Sequence, residues 1–208
     1  MIETIIFDLD GTLIDSSCII TQAFNDALSP FGISLSHHEV DAMRTQTANE
    51  LFLDRLSKED ARHALERLWD FSSRFAPKTL LIPGIVPILE RITAKGITLG
   101  LWTGRDKTST MHILNFHQIA IYFKEIVAGC EVSNNKPHPE GLLLLAKRLN
   151  KALTSMIHVG DHEHDLIGAN AAGVKPIYAN WLYENPMHHP LAHMSFTTLA
   201  EFEHWLNL

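Results

Sequence analysis

Five short, almost continuously apolar runs are spaced along the chain, with helix-like segments between them. They are residues 4–8 (TIIFD), 97–103 (ITLGLWT), 125–128 (EIVA), 156–159 (MIHV) and 174–178 (VKPIY). Runs that lack polar alternation suit strands buried on both faces, as in a parallel sheet. The intervening segments carry helical signals. Ile85, Val86, Leu89 and Ile92 follow Pro83-Gly84 on one helical face, with Gly96 as the stop. Residues 106–117, residues 142–149 behind Pro139, and residues 165–172 before Gly173 read the same way, and 199–206 closes the chain. Strand–helix alternation of this kind predicts an α/β fold with a mainly parallel, five-stranded sheet.

One stretch breaks the alternation. Residues 16–80 show only helical patterns. Ile19, Ile20, Ala23, Phe24 and Ala27 form one stripe. Ser36 with Glu39, and Thr47 with Glu50, have capping-box spacing, and Ser57 stands where it can cap a long helix. The expected organisation is a Rossmann-like three-layer core of residues 1–15 and 81–208, with a small all-helical cap, 16–80, inserted after the first strand. Ligands in such sheets bind beyond the carboxyl ends of the strands. An insert leaving the end of strand one is therefore expected to serve as a lid.

Composition removes several classes of function. The chain has 208 residues, enough to bury a core without staples. Acidic residues outnumber basic ones, 24 to 17, so nucleic acid is a poor electrostatic partner. Cys18 and Cys130, the two cysteines, cannot form a disulfide scaffold or a four-cysteine zinc site. No run approaches the roughly 18 apolar residues of a membrane helix. The start, MIETIIFDLDG, lacks the basic residues of a signal peptide, so the expected location is the cytoplasm, away from membranes.

The ends of the apolar runs carry the chemistry. The first ends in Asp8-Leu9-Asp10-Gly11-Thr12. In an extended segment Asp8 and Asp10 point the same way. Two carboxylates so close repel unless a cation or a shared proton relieves them, and a hard divalent ion such as Mg2+ does this well. The second ends in Thr103-Gly104-Arg105, where a hydroxyl and free N–H groups ahead of a helix make an anion seat. After the third comes Asn135-Lys136-Pro137-His138-Pro139, whose prolines hold the lysine in place. The fourth ends in Gly160-Asp161-His162-Glu163-His164-Asp165. Aspartates suit magnesium, and no third imidazole or thiolate stands at zinc spacing beside His162 and His164. Each of the last three elements is also compatible with an ordinary loop when read alone.

Taken in order, DxDGT, a strand-terminal Thr, Lys-Pro and GDxxxD resemble the haloacid dehalogenase-like superfamily, over residues 4 to about 180. The helical insert matches its subgroup with a small helical cap, and the pattern is most similar to phosphoglycolate phosphatase-like and β-phosphoglucomutase-like members. The resemblance implies that Asp8 is a nucleophile that becomes an aspartyl-phosphate. Asp10 would be the general acid for the leaving alcohol and then the base for water. Thr103 and the Gly104 N–H would hold phosphoryl oxygens, and Lys136 would neutralise Asp8 and the phosphate. Mg2+ would sit on Asp8, the Asp10 carbonyl and Asp161, with Asp165 acting through water or by orienting Lys136. Two departures stand out: His162 occupies a position where many relatives have Ser or Thr, and residues 42–46 lack a glycine often found there. Arg44, in that segment, is the expected cap cation for a second anionic group on the substrate.

The resulting expectation is a magnesium-dependent phosphatase for a small phosphorylated metabolite, as a monomer or homodimer. Asp10 favours phosphoryl chemistry over carbon–halogen cleavage, because dehalogenase members lack the second acid. A phosphomutase of the same fold and a non-catalytic phosphate-binding regulatory protein stay open as alternatives.

Overall fold

The computed structural model describes residues 2–42, 48–75, 78–182 and 188–208. The chain divides into two compact units, one of Met1–Asp15 with Leu80–Leu208 and one of Ser16–Thr79.

The first unit is built on β1 (Thr4–Phe7), β4 (Thr98–Trp102), β5 (Phe123–Val127), β6 (Met156–Gly160), β7 (Lys175–Ala179) and β8 (Met194–Phe196). These six strands form one sheet in the order β5-β4-β1-β6-β7-β8, and every pairing is parallel. The expectation of five strands is therefore one short. β8 is three residues long, MSF, with only Phe196 fully buried, so it has no apolar run to be read from sequence. It is held at the edge by the Asn180 N–H to the Phe196 carbonyl, 2.9 Å, and by its pairing with β7.

The central strand β1 is buried along its whole length, as its apolar, β-branched sequence requires. Its side chains alternate between the two faces. Ile6 enters a core with Trp102, Val127, Leu142, Leu145, Met156 and Ala169. That core is closed by α7 (Glu140–Leu149) and α8 (Glu163–Ala172). Phe7 meets Phe202 edge-on at 6.2 Å on the opposite face, where α9 (Leu199–Trp205) packs. Next to α9 lies α5 (Ile85–Ala94), joined to it by Arg91 and Glu203 at 2.6 Å, and α6 (Lys107–Phe116) follows β4. The result is helix, sheet, helix. A two-stranded antiparallel pair, β2 (Ile14–Asp15) with β3 (Leu80–Leu81), ties the chain where it leaves and re-enters this unit.

The second unit is helical: α1 (Ser17–Leu28), α2 (His37–Ala42), α3 (Ala48–Leu53) and α4 (Lys58–Phe75). The α1 stripe packs as its spacing predicts. Ala23 and Ala27 are buried with Leu51, Phe52, Ala61, Ala64 and Leu68, and Ile19, Ile20 and Phe24 border them. The Ser36 capping box forms, with the Ser36 N–H on Glu39 at 2.7 Å and the Glu39 N–H on Ser36 Oγ at 3.2 Å. Ser57 accepts from the Asp60 N–H and starts α4. Thr47 and Arg44 lie outside the described residues.

Candidate active site

Strand ends decide which side chains meet. β1, β4 and β6 are neighbours and parallel, so their carboxyl ends point one way and deliver Asp8, Thr103 and Asp161 to the same edge. A loop after β5 brings Lys136. α8, which starts directly beyond β6, brings Asp165 in its first turn.

Lys136 joins two of these carboxylates. Its Nζ lies 2.5 Å from Asp8 Oδ1 and 2.6 Å from Asp165 Oδ1, with only 10% of the side chain exposed. The ammonium also rests 4.7 Å above the Trp102 ring, a cation–π contact that fixes its approach. Trp102 is fully buried, and two glycines make room for it: a Cβ on Gly141 or Gly168 would overlap the indole. Lys136 is thus set by its loop, by an aromatic floor and by two anions.

Asp165 is extensively hydrogen-bonded. Oδ1 accepts from Lys136 and lies 3.1 Å from His158 Nε2, while Oδ2 accepts the His162 N–H at 3.1 Å. His158 has no exposed surface, and its other ring nitrogen is 3.1 Å from the Ile6 carbonyl. Burial pushes the Asp165 carboxyl up, but Lys136 and then the His158 bond outweigh it and hold it well below the ordinary carboxylate range. Asp165 thus bonds Lys136 directly while its other oxygen is held by the backbone. His158 itself is pushed below its ordinary value, first by burial.

Asp8 responds in the opposite direction. Burial raises its pKa most. Lys136 opposes that rise, and Asp165, Asp161 and Asp10 add to it, so the carboxyl ends well above its usual range. One ammonium does not offset this much negative charge. Carboxylate oxygens of Asp8, Asp161 and Asp165 lie within 4.8 Å of one another. A hard, oxygen-only donor set with excess negative charge fits a divalent ion of the magnesium type. Space for Asp161 comes from Gly11, where a Cβ would overlap its carboxylate. Gly11 also turns the chain at φ +79°, a conformation that costs other residues about 1–2 kcal/mol. Gly11→Ala is therefore expected to lower stability by at least about 1–2 kcal/mol. An unchanged midpoint in thermal unfolding would contradict the close approach.

Thr103 is buried, and its Oγ1 accepts the Arg105 N–H at 3.2 Å, while the Thr103 N–H bonds the Val127 carbonyl. Gly104 is exposed at the turn after Thr103, and its carbonyl accepts from Asn135 at 3.3 Å. The Asp10 carboxylate is bonded by Arg105, from Nε to Oδ2 and from Nη2 to Oδ1, each at 2.7 Å. His162 is the N-cap of α8, and its ring accepts the His164 N–H, so a capping role accounts for it. Sequence reasoning missed Arg105, His158 and Trp102 as site residues. Two of these left a signal: His158 stands inside a buried apolar run, and Trp102 directly before Thr103.

The model of the family described as haloacid dehalogenase-like hydrolase matches residues 5–179, which contain every one of these side chains. The chain belongs to this family. A phosphoglycolate phosphatase of Shigella boydii is 30% identical to this haloacid dehalogenase-like hydrolase, over 88% of this chain and 82% of that one. Among solved structures, CbbY from Rhodobacter sphaeroides in complex with phosphate superimposes with a TM-score of 0.86 at 22% identity, covering 97% of this chain and 96% of that one. A haloacid dehalogenase-like hydrolase from Streptococcus pneumoniae gives 0.83 at 22%, over 99% and 98%. At such identity these two likenesses bear on the fold. No helix among the described residues is long and apolar enough to cross a membrane.

Proposed function

We propose that this hydrolase is a magnesium-dependent phosphatase that acts on a small phosphorylated metabolite through an aspartyl-phosphate on Asp8. The observation that carries the reading is the bridge from Lys136 to Asp8 and Asp165, set beside the Asp161 carboxylate at one strand edge. The relatives named phosphoglycolate phosphatase support the phosphatase class and make phosphoglycolate the first substrate to try.

Asp8 and Asp161, with the Asp10 carbonyl, would hold the ion. Bound there, a divalent cation supplies charge neutralisation for a nucleophilic carboxylate and a phosphate dianion, which otherwise repel. Lys136 performs the same service from the protein side. It is the positive group nearest Asp8, and Asp165 and Trp102 keep it there. Thr103 and the Gly104 N–H offer donors for phosphoryl oxygens. In the first displacement an Asp8 oxygen bonds phosphorus and the bond to the leaving oxygen breaks, with Asp10 giving that oxygen a proton. In the second, Asp10 takes a proton from water as the water oxygen bonds phosphorus and the bond from phosphorus to the Asp8 oxygen breaks, returning the carboxylate. Covalent catalysis of this kind replaces one hard step by two easier ones.

A screen of phosphorylated metabolites with Mg2+ present tests the class. Hydrolysis of at least one, with stoichiometric phosphate release, is expected, and no release from any of them, nor from p-nitrophenyl phosphate, would overturn it. Chelation with EDTA should stop turnover and Mg2+ restore it. Calcium should inhibit, since its larger and looser coordination shell misplaces the carboxylates. Full activity in EDTA, or rescue by zinc alone, would contradict the metal assignment.

A further inference from the structure

His158 is a polar side chain in the middle of β6, a strand whose residues are all buried. Its ring has no exposed surface. A buried polar group is costly unless it is hydrogen-bonded, so the partners of its two nitrogens define what the ring does. Nε2 lies 3.1 Å from Asp165 Oδ1, and Nδ1 lies 3.1 Å from the Ile6 carbonyl oxygen. Both facing atoms only accept. Burial lowers the pKa of the ring, which therefore carries a single N–H near neutral pH. Asp165 is held ionised, so its oxygen is the stronger acceptor and the proton belongs on Nε2.

Two positions on β6 together receive Asp165. Alternation along the strand puts His158 and Gly160 on one face. His158 meets the carboxylate, and Gly160 leaves it room, since a Cβ there would overlap the Asp165 side chain. The His162 N–H takes Oδ2 at 3.1 Å. The Oδ1 that faces His158 also faces Lys136 Nζ, at 2.6 Å. Trp102 packs against the His158 ring at 5.0 Å and lies under the Lys136 ammonium at 4.7 Å. His158 therefore touches both groups, Asp165 and Trp102, against which Lys136 is set.

We infer that His158 is a positioning residue for Lys136: its Nε2–H fixes the Asp165 carboxylate, and that carboxylate in turn holds the ammonium against Asp8. The inference rests on the phosphatase reading of the site. Without the imidazole, Asp165 Oδ1 and the ammonium would anchor only each other, and the carboxylate could turn about its Cβ–Cγ bond. The bond from a ring locked inside the strand removes that freedom. Lys136 is then in place beside Asp8 before the phosphate arrives, and charge already in place needs no reorganisation at the moment of reaction.

Replacing the ring one nitrogen at a time gives the test. A glutamine amide can reach the Nε2 position and an asparagine amide the Nδ1 position, whereas phenylalanine fills the space and bonds neither partner. Wild type, His158→Gln, His158→Asn and His158→Phe are assayed on p-nitrophenyl phosphate over a range of Mg2+, after thermal unfolding shows each variant folded. His158→Phe is expected to lose kcat about 10- to 10²-fold, the range for a group that acts through a neighbour's hydrogen bond. His158→Gln should recover most of that loss and His158→Asn little of it. In a Lys136→Ala background, His158→Phe should cost less than about 2-fold further, because the group it positions is gone. Glutamine no better than asparagine would overturn the proposal in favour of a structural bond to Ile6. Wild-type kcat in His158→Phe, or additive losses with Lys136→Ala, would overturn it as well. A higher Mg2+ requirement, with kcat restored at saturating Mg2+, would overturn it in favour of a role at the ion. If His158→Phe does not fold, the comparison of glutamine with asparagine, alone and with Lys136→Ala, decides by the same criteria. A wild-type enzyme that releases phosphate neither from p-nitrophenyl phosphate nor from any phosphorylated metabolite overturns the phosphatase reading itself, which distinguishes the two failures.

Discussion

Asp8→Asn is expected to reduce turnover of p-nitrophenyl phosphate by at least about 10³-fold, or roughly 4 kcal/mol of barrier, with the fold intact. The amide is almost isosteric, so the strand end and its packing persist. What disappears is the nucleophilic oxygen pair and one of the negative charges the cluster holds. The direction of the stability change is part of the prediction. Asp8 is buried, and burial with three neighbouring acids pushes its carboxyl well above the ordinary range. Above the unfolded-state value near 4, the unfolded chain releases this proton while the folded chain keeps it until higher pH. The folded state therefore loses stability as pH rises from about 4 through the raised folded value, a loss the asparagine variant does not have. Without added metal, the variant should accordingly melt no lower than wild type at pH 7.5. Wild-type-like turnover in the purified variant would remove Asp8 from the chemistry. A much lower melting temperature would show instead that the fold needs its charge.

Lys136→Ala is expected to damage both activity and stability. Its ammonium is the cation between Asp8 and Asp165, with 10% of the side chain exposed and the two carboxylates at 9% and 2%. Removing one partner from a buried charge network costs about 3–5 kcal/mol, mostly because the other charge is left uncompensated. Some of that cost returns as the carboxylates take up protons. Turnover should fall about 10²- to 10³-fold, since the phosphate dianion then meets an acidic edge with one cation fewer. Added Mg2+ should recover part of the stability but little of the rate, because a divalent ion would supply charge there but not the hydrogen bonds of the Lys136 ammonium to Asp8 and Asp165. Calorimetry or thermal unfolding with and without Mg2+, alongside kcat, checks both halves. A variant with wild-type stability in EDTA would contradict the bridging role.

Much of this arrangement is legible in the sequence, for definable reasons. The buried strands announce themselves because parallel sheets demand unbroken apolar runs, as TIIF in β1 and IHV in β6 show. Asp8, Lys136, Asp161 and Asp165 are legible because each stands at the end of such a run or in the loop behind it, where topology alone brings side chains together. β8 is not legible: three residues at a sheet edge bury too little to leave a pattern. α8 begins at Glu163, two residues before the expected 165, because His162 caps it with a ring nitrogen, a role outside the usual Ser, Thr, Asp and Asn signals. The Arg105–Asp10 fork escapes for a different reason. Its partners are separated by 95 positions, and only the parallel pairing of β1 with β4 places them side by side. Trp102 and its two glycines, Gly141 and Gly168, are complementary in the same way: large against small, from three different elements.

Rapid acid quench during turnover tests directly whether Asp8 carries the phosphoryl group. Enzyme with Mg2+ and p-nitrophenyl phosphate is quenched within the first turnovers, digested and examined by mass spectrometry. A phosphoryl adduct on the peptide containing Asp8, labile to hydroxylamine and absent from Asp8→Asn, is expected. Rapid product release with no adduct at any quench time, or an adduct on a different residue, would contradict it.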